Sequence, residues 1–261
     1  MKALQIAATG MSAQQMRVEV ISNNLSNMST TGYNARRIEF SDLLYHQVAQ
    51  PGTITSRDGS VLPTGVQIGL GVRPTSVSIT LAQGGLSQTG RDLDLAIDGK
   101  GYFEVALPDG RVAFTRDGGM KRSPDGLVLT SDGNALVPEI VIPNDAISIS
   151  VNAAGEVFAY FNDRVDPEEI GQITLVGFAN PMGLEAVGSN LFVETSASGG
   201  PNVELPGTNG LGTVRQGYLE ESSVDAVREI TELIEAQRGY ELNAKVITAA
   251  DQMLAATAQI K

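Results

Sequence analysis

The sequence contains no cysteine and no tryptophan, and His46 is its one histidine. Without thiols the chain forms no disulfide and offers no thiolate nucleophile, so its redox compartment cannot be read from cysteine usage. Basic residues are scarce as well, because 18 Lys and Arg stand against 30 Asp and Glu and give a net charge of -12. Nucleic acids and anionic membranes are bound through clustered Lys and Arg, so we expect neither as a partner.

Long hydrophobic runs are also missing, including at the N-terminus. The opening Met1-Lys2-Ala3-Leu4 faintly suggests a secretory signal, but the polar residues Gln5 and Thr9 and the residue Gly10 interrupt the apolar region that such a signal needs. The sequence therefore predicts neither a cleaved signal peptide nor membrane insertion.

Catalytic motifs are absent in the same way. The sequence has no Gly-x-x-x-x-Gly-Lys phosphate loop and no Gly-x-Ser-x-Gly nucleophile elbow. The acidic run Asp92–Gly99 lacks an oxygen ligand at Ala96, where a calcium loop needs one, so we interpret it as a strand with one wet face. A hydrolase using paired carboxylates stays open, since sequence spacing does not fix distance in space, but no motif supports it. We predict no enzyme activity, no catalytic residue, no cofactor and no metal.

Both ends of the chain carry a heptad-like pattern, in which seam residues recur at alternating steps of three and four. The N-terminal seam runs through Leu4, Ala7, Met11, Gln14, Val18, Ile21, Leu25 and Met28, and the C-terminal seam runs through Ala226, Ile230, Leu233, Gln237, Tyr240, Ala244, Ile247, Asp251, Leu254 and Ala258. Ser222 and Asp225 resemble a capping box at the start of the second helix. Helices of about 30 residues reach roughly 45 Å, which favours pairing with each other and with neighbouring chains. The alternative is two amphipathic helices on one globular core.

The middle of the chain is β. Val77–Leu81 and Ile147–Val151 alternate apolar and polar residues, as half-buried strands do. Asp-Gly pairs supply the positive φ angles of tight hairpin turns. They occur at 109–110, 117–118, 125–126 and 132–133, and further strands are predicted at 93–98, 102–106, 156–162, 172–178 and 191–194. These patterns predict an α+β fold, with coiled-coil helices at both termini and a mainly antiparallel β domain between them.

Polar residues concentrate just after the first helix, in the stretch NNLSNMSTTGY from Asn23 to Tyr33. This stretch is similar to the N-terminal signature of bacterial flagellar rod and hook proteins, and Glu235–Lys245 is similar to their C-terminal signature. Further matches at 50–52, 62–63, 67–74, 93–103, 180–183 and 206–217 extend the resemblance over essentially the whole chain, and are most similar to the distal rod members of the basal-body rod family. Gly239 and Ser223 depart from the Ala and Asn expected there.

The resemblance implies an inner domain formed by an N-terminal helix (1–30) and a C-terminal helix (222–261). It also implies a connecting β-hairpin region (31–72) with a distal-rod-type insertion at about 50–63, an outer β domain (73–200) and a return connector (201–221). The implied subunit is exported unfolded by the flagellar type III apparatus. The implied location is the flagellar basal body, in the part that extends from the periplasm to the outer membrane. The subunit stacks with copies of itself into a hollow helical shaft that transmits torque. Its implied neighbours are the proximal rod proteins, the hook protein and the P- and L-ring proteins.

The polar stretch is interpreted as a joint where the inner helix ends and the chain turns outward. We expect Asn27 to adopt the left-handed conformation that closes helices and Gly32 to permit the turn, with a contact to a neighbouring subunit favoured over helix capping alone. The predicted assembly residues are Leu4, Met11, Val18, Ile21, Asn23, Asn24, Leu25, Asn27, Gly32, Pro51, Pro63, Ile230, Leu233, Gln237, Tyr240, Asn243, Ile247 and Leu254.

Two alternatives to a distal rod subunit stay open at this point. One is another axial protein, such as the hook or the proximal rod, and the other is a secreted coiled-coil and β binding module of the adhesin or phage-tail kind. Gln50–Pro63 discriminates best, because it resembles an insertion of the distal rod. Its Asp58-Gly59 pair and flanking prolines predict a protruding hairpin that stiffens the shaft.

Overall fold

The computed structural model describes residues 2–50, 64–164 and 166–259. The described chain begins and ends with a long helix. The helix α1 Lys2–Ser26 precedes all the strands in the sequence, and α2 Ala226–Gln259 follows them. The strands are β1 Arg36–Asp42, β2 Tyr45–Ala49, β3 Val66–Gly69, β4 Val72–Ile79, β5 Leu86–Gln88, β6 Leu95–Asp98, β7 Phe103–Ala106, β8 Val112–Thr115, β9 Lys121–Arg122, β10 Val128–Leu129, β11 Ala135–Val137, β12 Ala146–Val151, β13 Glu156–Phe161, β14 Glu168–Gln172, β15 Leu175–Gly177, β16 Glu185–Gly188, β17 Leu191–Val193, β18 Asn202–Glu204, β19 Thr213–Gln216 and β20 Tyr218–Glu220. A 3-10 turn occupies Pro181–Gly183. The predicted α+β class is confirmed.

The chain divides into two compact units. The first comprises Met1–Leu25, Arg36–Ser78 and Asp225–Lys261, and the second comprises Ser26–Ala35 and Ile79–Val224. The first unit holds the two helices and two two-stranded pairs, β1 with β4 and β2 with β3. Residues 51–63 of the predicted insertion at about 50–63, including Pro51 and Pro63, lie outside the described residues. Within the described ranges, neither helix combines the length and apolarity that a membrane crossing requires.

The second unit is built from short antiparallel strands. Its largest sheet has the strand order β16-β17-β8-β7-β11-β10-β9, and a three-stranded sheet has the order β12-β13-β14. The main core contains Phe103, Leu136, Ile97, Leu175 and Val214, each of which is at most 2% exposed. A second cluster is aromatic, with ring centroids 4.8–6.0 Å apart in edge-to-face contacts among Tyr102, Phe114, Phe178 and Phe192.

Of the four Asp-Gly pairs that were predicted to form tight turns, three have a positive φ at their glycine, namely Gly110, Gly126 and Gly133. The prediction is wrong for Gly118, which does not have a positive φ. A Cβ built on Gly118 would lie 1.5 Å from the backbone oxygen of Leu95, so glycine is needed there for close backbone approach. The amide of Leu95 donates to the Gly118 carbonyl at 3.0 Å.

The acidic run at 92–99 is also different from its prediction. Leu95, Ala96 and Ile97 are all buried, so this strand has no wet face. Asp94 is 1% exposed and is neutralised by Arg91, whose Nε lies 2.8 Å from its Oδ2. The carboxylate therefore stabilises the loop that leads into β6 and does not point to solvent.

The N-cap of α2 lies three residues beyond Ser222, the predicted cap. Asp225 is the N-cap residue, since its Oδ1 accepts from the amides of Val227 at 3.0 Å and Arg228 at 3.2 Å. The Ser222 hydroxyl accepts from the amide of Val224 in the preceding turn. Ser222 was predicted as the cap because Ser and Asp stand at capping-box spacing, and that assignment is wrong.

Candidate assembly surfaces

The two helices of the first unit pack antiparallel. Asn24 contacts Glu229 near the end of α1, and Arg17 lies 3.4 Å from Glu232 and 3.7 Å from Glu235. Gly10, still nearer the start of α1, lies against Asn243. Earlier residues of α1 therefore contact later residues of α2, as expected for antiparallel helices.

Small residues line the seam between these helices. Ala7 and Ala13 of α1 and Ala236 and Ala250 of α2 are buried. A Cβ on Gly10 would lie 2.9 Å from Nδ2 of Asn243. At Gly239 the corresponding distance is 3.1 Å to Cδ of Gln14, so the helices approach closely at both glycines.

The buried face of α2 is displaced by about one position from the predicted seam. Ala236 and Ala250 are buried, whereas their neighbours Gln237 and Asp251 are exposed. The fully buried positions of α2 are alanines, which allow close approach to α1, while larger seam residues such as Leu233 and Ile247 are half-buried.

Within the described residues, the side of α2 that faces away from α1 is uncovered. Val227 is 76% exposed, Leu242 62% and Met253 64%, and Ile230 and Tyr240 of the predicted seam are also exposed. Large exposed apolar side chains concentrated on one element mark a candidate interaction site. The remaining apolar seam residues are buried or half-buried, namely Leu4, Met11, Val18, Ile21, Leu25, Leu233, Ile247 and Leu254, as is the polar Asn243. Their role in assembly stays a prediction.

Asn24 connects three segments of the first unit. Its Nδ2 donates to the Arg36 carbonyl at 2.8 Å and to Glu229 Oε2 at 3.2 Å, while the Arg36 amide donates to its Oδ1 at 2.9 Å. Burial raises the pKa of the Glu229 carboxyl, and the hydrogen bond from Asn24 opposes that rise. Asn24 is 1% exposed within the chain, and its predicted role in assembly stays a prediction. Asn23, its neighbour, is exposed.

The turn after α1 belongs to the second unit. Gly32 has the predicted positive φ of 65°, and its amide donates to the Glu220 carbonyl at 2.8 Å. A Cβ on Gly32 would lie 2.8 Å from the backbone carbon of Arg116. The prediction for Asn27 is wrong, because its φ is not positive. Its backbone and side-chain oxygens instead accept two bonds from Thr30, which close a turn.

A buried ion pair lies beside this turn. Arg116 and Glu220 approach to 2.7 Å, with side chains 9% and 3% exposed. The Arg116 guanidinium also donates to the carbonyls of Gly99 and Gly101, each at 3.0 Å. On another side of the turn, Asn190 donates to the Thr31 carbonyl at 2.9 Å from a backbone with φ of 57°. The turn is therefore held by hydrogen bonds and charge within its own unit.

The paired strands of the first unit present apolar side chains to solvent. Leu44 is 83% exposed and Val48 60%, and Tyr45 and Val66 are also exposed. An isolated two-stranded hairpin is marginally stable in water, so exposed residues of this kind favour contact with another surface.

Similarity to known proteins covers the same elements. Family models match at 4–34 (flagella basal body rod protein), at 96–159 (flagellar hook protein FlgE/F/G D1 domain) and at 215–260 (flagellar basal body rod FlgEFG protein C-terminal). The flagellar basal-body rod protein FlgG of Caulobacter vibrioides is 49% identical over 261 residues, which is 100% of both chains. The chain belongs to the FlgG family of flagellar basal-body rod proteins. FlgG of Agrobacterium fabrum is 47% identical over 97% of each chain, and FlgG of Bacillus subtilis is 36% identical over 100% of this chain and 99% of its own.

The matched segments of this FlgG family member coincide with the surfaces described above. The segment 4–34 covers most of α1 and the turn at Gly32, and 215–260 covers α2 with the strands before it. Sequence reasoning missed the partners of Asn24 and the pair of Arg116 with Glu220. The two charged residues are 104 positions apart, and nothing in one sequence links them.

Proposed function

We propose that the chain is a structural subunit of the flagellar distal rod, which assembles helically with copies of itself into a hollow drive shaft. The shaft transmits torque from the motor to the hook, and the subunit catalyses no reaction. The FlgG family membership supports a structural role in the rod of the basal body. The matches extend over the whole chain, so a secreted binding module is not favoured.

The observation that carries the proposal is the uncovered apolar face of α2. This helix has 34 residues, and its contact with α1 buries small side chains such as Ala236 while Leu242 and Met253 stay in solvent. Each large apolar side chain gains about 1.5–3 kcal/mol when it is fully buried. Copies of the chain that covered this face would gain that energy at every subunit of a polymer.

The proposed neighbours follow from the place of a distal rod. They are the proximal rod proteins, the hook protein and the surrounding P- and L-ring proteins, and delivery is by the flagellar export apparatus. The proposed location extends from the periplasm to the outer membrane.

Assembly of the purified full chain tests the proposal. Leu242→Asp places a charge on the uncovered face and should abolish polymers that sediment and are visible by electron microscopy, because a charge buried without a partner costs several kcal/mol. Val187→Asp is the matched control, since Val187 is 47% exposed on β16 in the second unit. Polymers of normal length from Leu242→Asp, or an equal loss with Val187→Asp, would contradict a role for the α2 face.

A further inference from the structure

The sheet β12-β13-β14 has two edges of different chemistry. Among the described residues, β12 and β14 each pair with β13 alone, so both are edge strands. Open strand edges are surfaces on which another chain can dock.

A groove of 540 Å³ lies beside the first of these edges, at 146–149. Its floor is apolar, because Met120 and Ile142 are 4% and 2% exposed. Ile147 on its rim is 63% exposed and sits at the irregularity in the pairing of β12 with β13. At the far end of the groove the Gln216 side chain bonds the carbonyl of Ile149, and farther along β12 it bonds the amide of Val151. The open part of the edge therefore lies before the Ile149 carbonyl, beside the groove.

Basic side chains from β9 border this groove. The guanidinium of Arg122 is held in place by the carbonyls of Ile142 and Pro143 at 3.2 and 3.0 Å. Lys121 is exposed and forms no ion pair with any described residue. Arg91 and Asp94, which also line the groove, neutralise each other. Asp92 lines the groove as well, and the Asp117 carboxylate interacts electrostatically with Lys121. Lys121 and Arg122 are both exposed, so a carboxylate of another molecule can reach them.

The opposite edge is acidic. Glu168 and Glu169 at the start of β14 are both exposed. Glu168 pairs with Arg164 at 2.7 Å, but both side chains are more than half exposed, and such surface pairs contribute little. Glu169 forms no ion pair with the part of the chain that the structure describes. It is therefore available to a cation of another molecule.

We propose that the acidic β14 edge of one copy docks at the groove beside β12 of a second copy, with Glu169 facing Lys121 and Arg122. This inference rests on the proposed self-assembly. The two patches differ, so the contact is head-to-tail and extends to a polymer without closing on itself in pairs. Opposite charge at the two edges fixes which edge meets which and disfavours like edges.

Engineered cysteines test the pairing, and the native chain contributes no competing thiol. Ser148→Cys marks the groove edge and Glu168→Cys marks the acidic edge while Glu169 is kept. The two positions lie two strands apart, about 10 Å, which is too far for a disulfide within one chain. Oxidation with copper–phenanthroline should yield disulfide dimers when the two full-length variants are mixed, at least about tenfold above either variant alone.

Charge reversal provides an independent measurement. Lys121→Glu and Glu169→Lys should each raise the critical concentration for assembly about tenfold. The double variant that carries both changes in one chain should assemble at a critical concentration within about threefold of that of the unchanged protein. Lys100→Glu and Glu185→Lys are matched controls, since both positions are exposed in the same unit away from the groove.

The outcomes separate this inference from the proposed function. Polymers that form without the mixed disulfide, or a double reversal that is no better than the single ones, overturn the edge pairing and leave the rod function standing. Mixed disulfides without sedimentable polymer support the edge pairing and count against the rod. Equal yields from mixed and unmixed variants overturn the head-to-tail arrangement.

Discussion

The side chain of Asn24 and the backbone of Arg36 exchange two hydrogen bonds, of 2.8 and 2.9 Å. A carboxamide has one donor and one acceptor group, so it can satisfy both backbone groups of one residue as a neighbouring strand would. The same carboxamide also donates to Glu229 at the start of α2. A helix, the first strand and the second helix of the first unit therefore meet at one side chain.

Asn24→Ala should destabilise the first unit by about 1–3 kcal/mol, because it leaves the half-buried amide and carbonyl of Arg36 without the Asn24 side chain as partner. The loss can be followed by hydrogen exchange in the full chain, where the Arg36 amide should exchange faster in the variant. Ser12→Ala, at an exposed position of the same helix, should leave that exchange rate unchanged. Equal protection in both variants would show that other groups satisfy the Arg36 backbone.

Gly32→Ala and Gly90→Ala separate two causes of strain. Both glycines have nearly the same positive φ, 65° and 69°, but a Cβ at Gly90 meets nothing within 4 Å whereas one at Gly32 meets the Arg116 backbone. We expect a loss of about 1 kcal/mol at Gly90 from backbone strain alone and about 3 kcal/mol or more at Gly32. Urea denaturation followed by circular dichroism gives both values. Similar losses would mean that the backbone at Arg116 shifts to accept the methyl group.

Arg116→Met should cost about 3–5 kcal/mol, because it leaves the Glu220 carboxylate buried without its cation. Adding Glu220→Gln should recover much of the loss, since the amide is neutral and its oxygen can still accept the bond from the Gly84 amide. Arg111→Met breaks an exposed pair with Asp109 and should cost far less, because solvent screens that pair. If the double variant is as unstable as Arg116→Met alone, the unpaired Glu220 charge is not the cause of the loss.

Asp117→Asn should stabilise the second unit at neutral pH. Burial raises the pKa of Asp117 in the folded chain, and the carboxylates of Asp132 and Asp94 raise it further. Ionisation therefore favours the unfolded chain. The penalty is absent below the unfolded pKa of 3.8, grows as pH rises from there to the raised pKa of the folded chain, and is fully present above it. We expect a gain in Tm of about 1–3 °C at pH 7 that disappears near pH 4.

The amide at residue 117 can keep the bond to the Gly119 backbone, because Oδ1 is the accepting atom. Asp125→Asn, at an exposed turn position, serves as the control and should show a smaller change in Tm. A gain from Asp117→Asn that is constant between pH 4 and pH 7 would contradict the electrostatic cause.

Local patterns were sufficient for much of the fold. The three-and-four spacing predicted helices at both ends, and Asp-Gly pairs predicted the turns at Gly110, Gly126 and Gly133, because helix period and positive φ depend on residues close in sequence. Within the Asn23–Tyr33 stretch, Gly32 has the predicted conformation, and the interpretation of the stretch as a joint stays a prediction.

Features that depend on distant contacts were not predictable in this way. Gly118 looks like the other Asp-Gly glycines, but its conformation is set by the Leu95 backbone crossing it. The seam on α2 passes through Ala236 in place of Gln237, because the shape of α1 decides which face it buries. Arg116 and Glu220 are joined by the tertiary fold alone.

The small-residue seam between α1 and α2 has a calorimetric consequence. Alanine and glycine bury little hydrocarbon each, so those positions of the seam contribute little to the heat-capacity change of folding. The exposed aliphatic side chains of α2 lose their hydration when another surface covers them, and that step carries a negative heat-capacity change. Association of copies should therefore add its own heat-capacity change to that of folding.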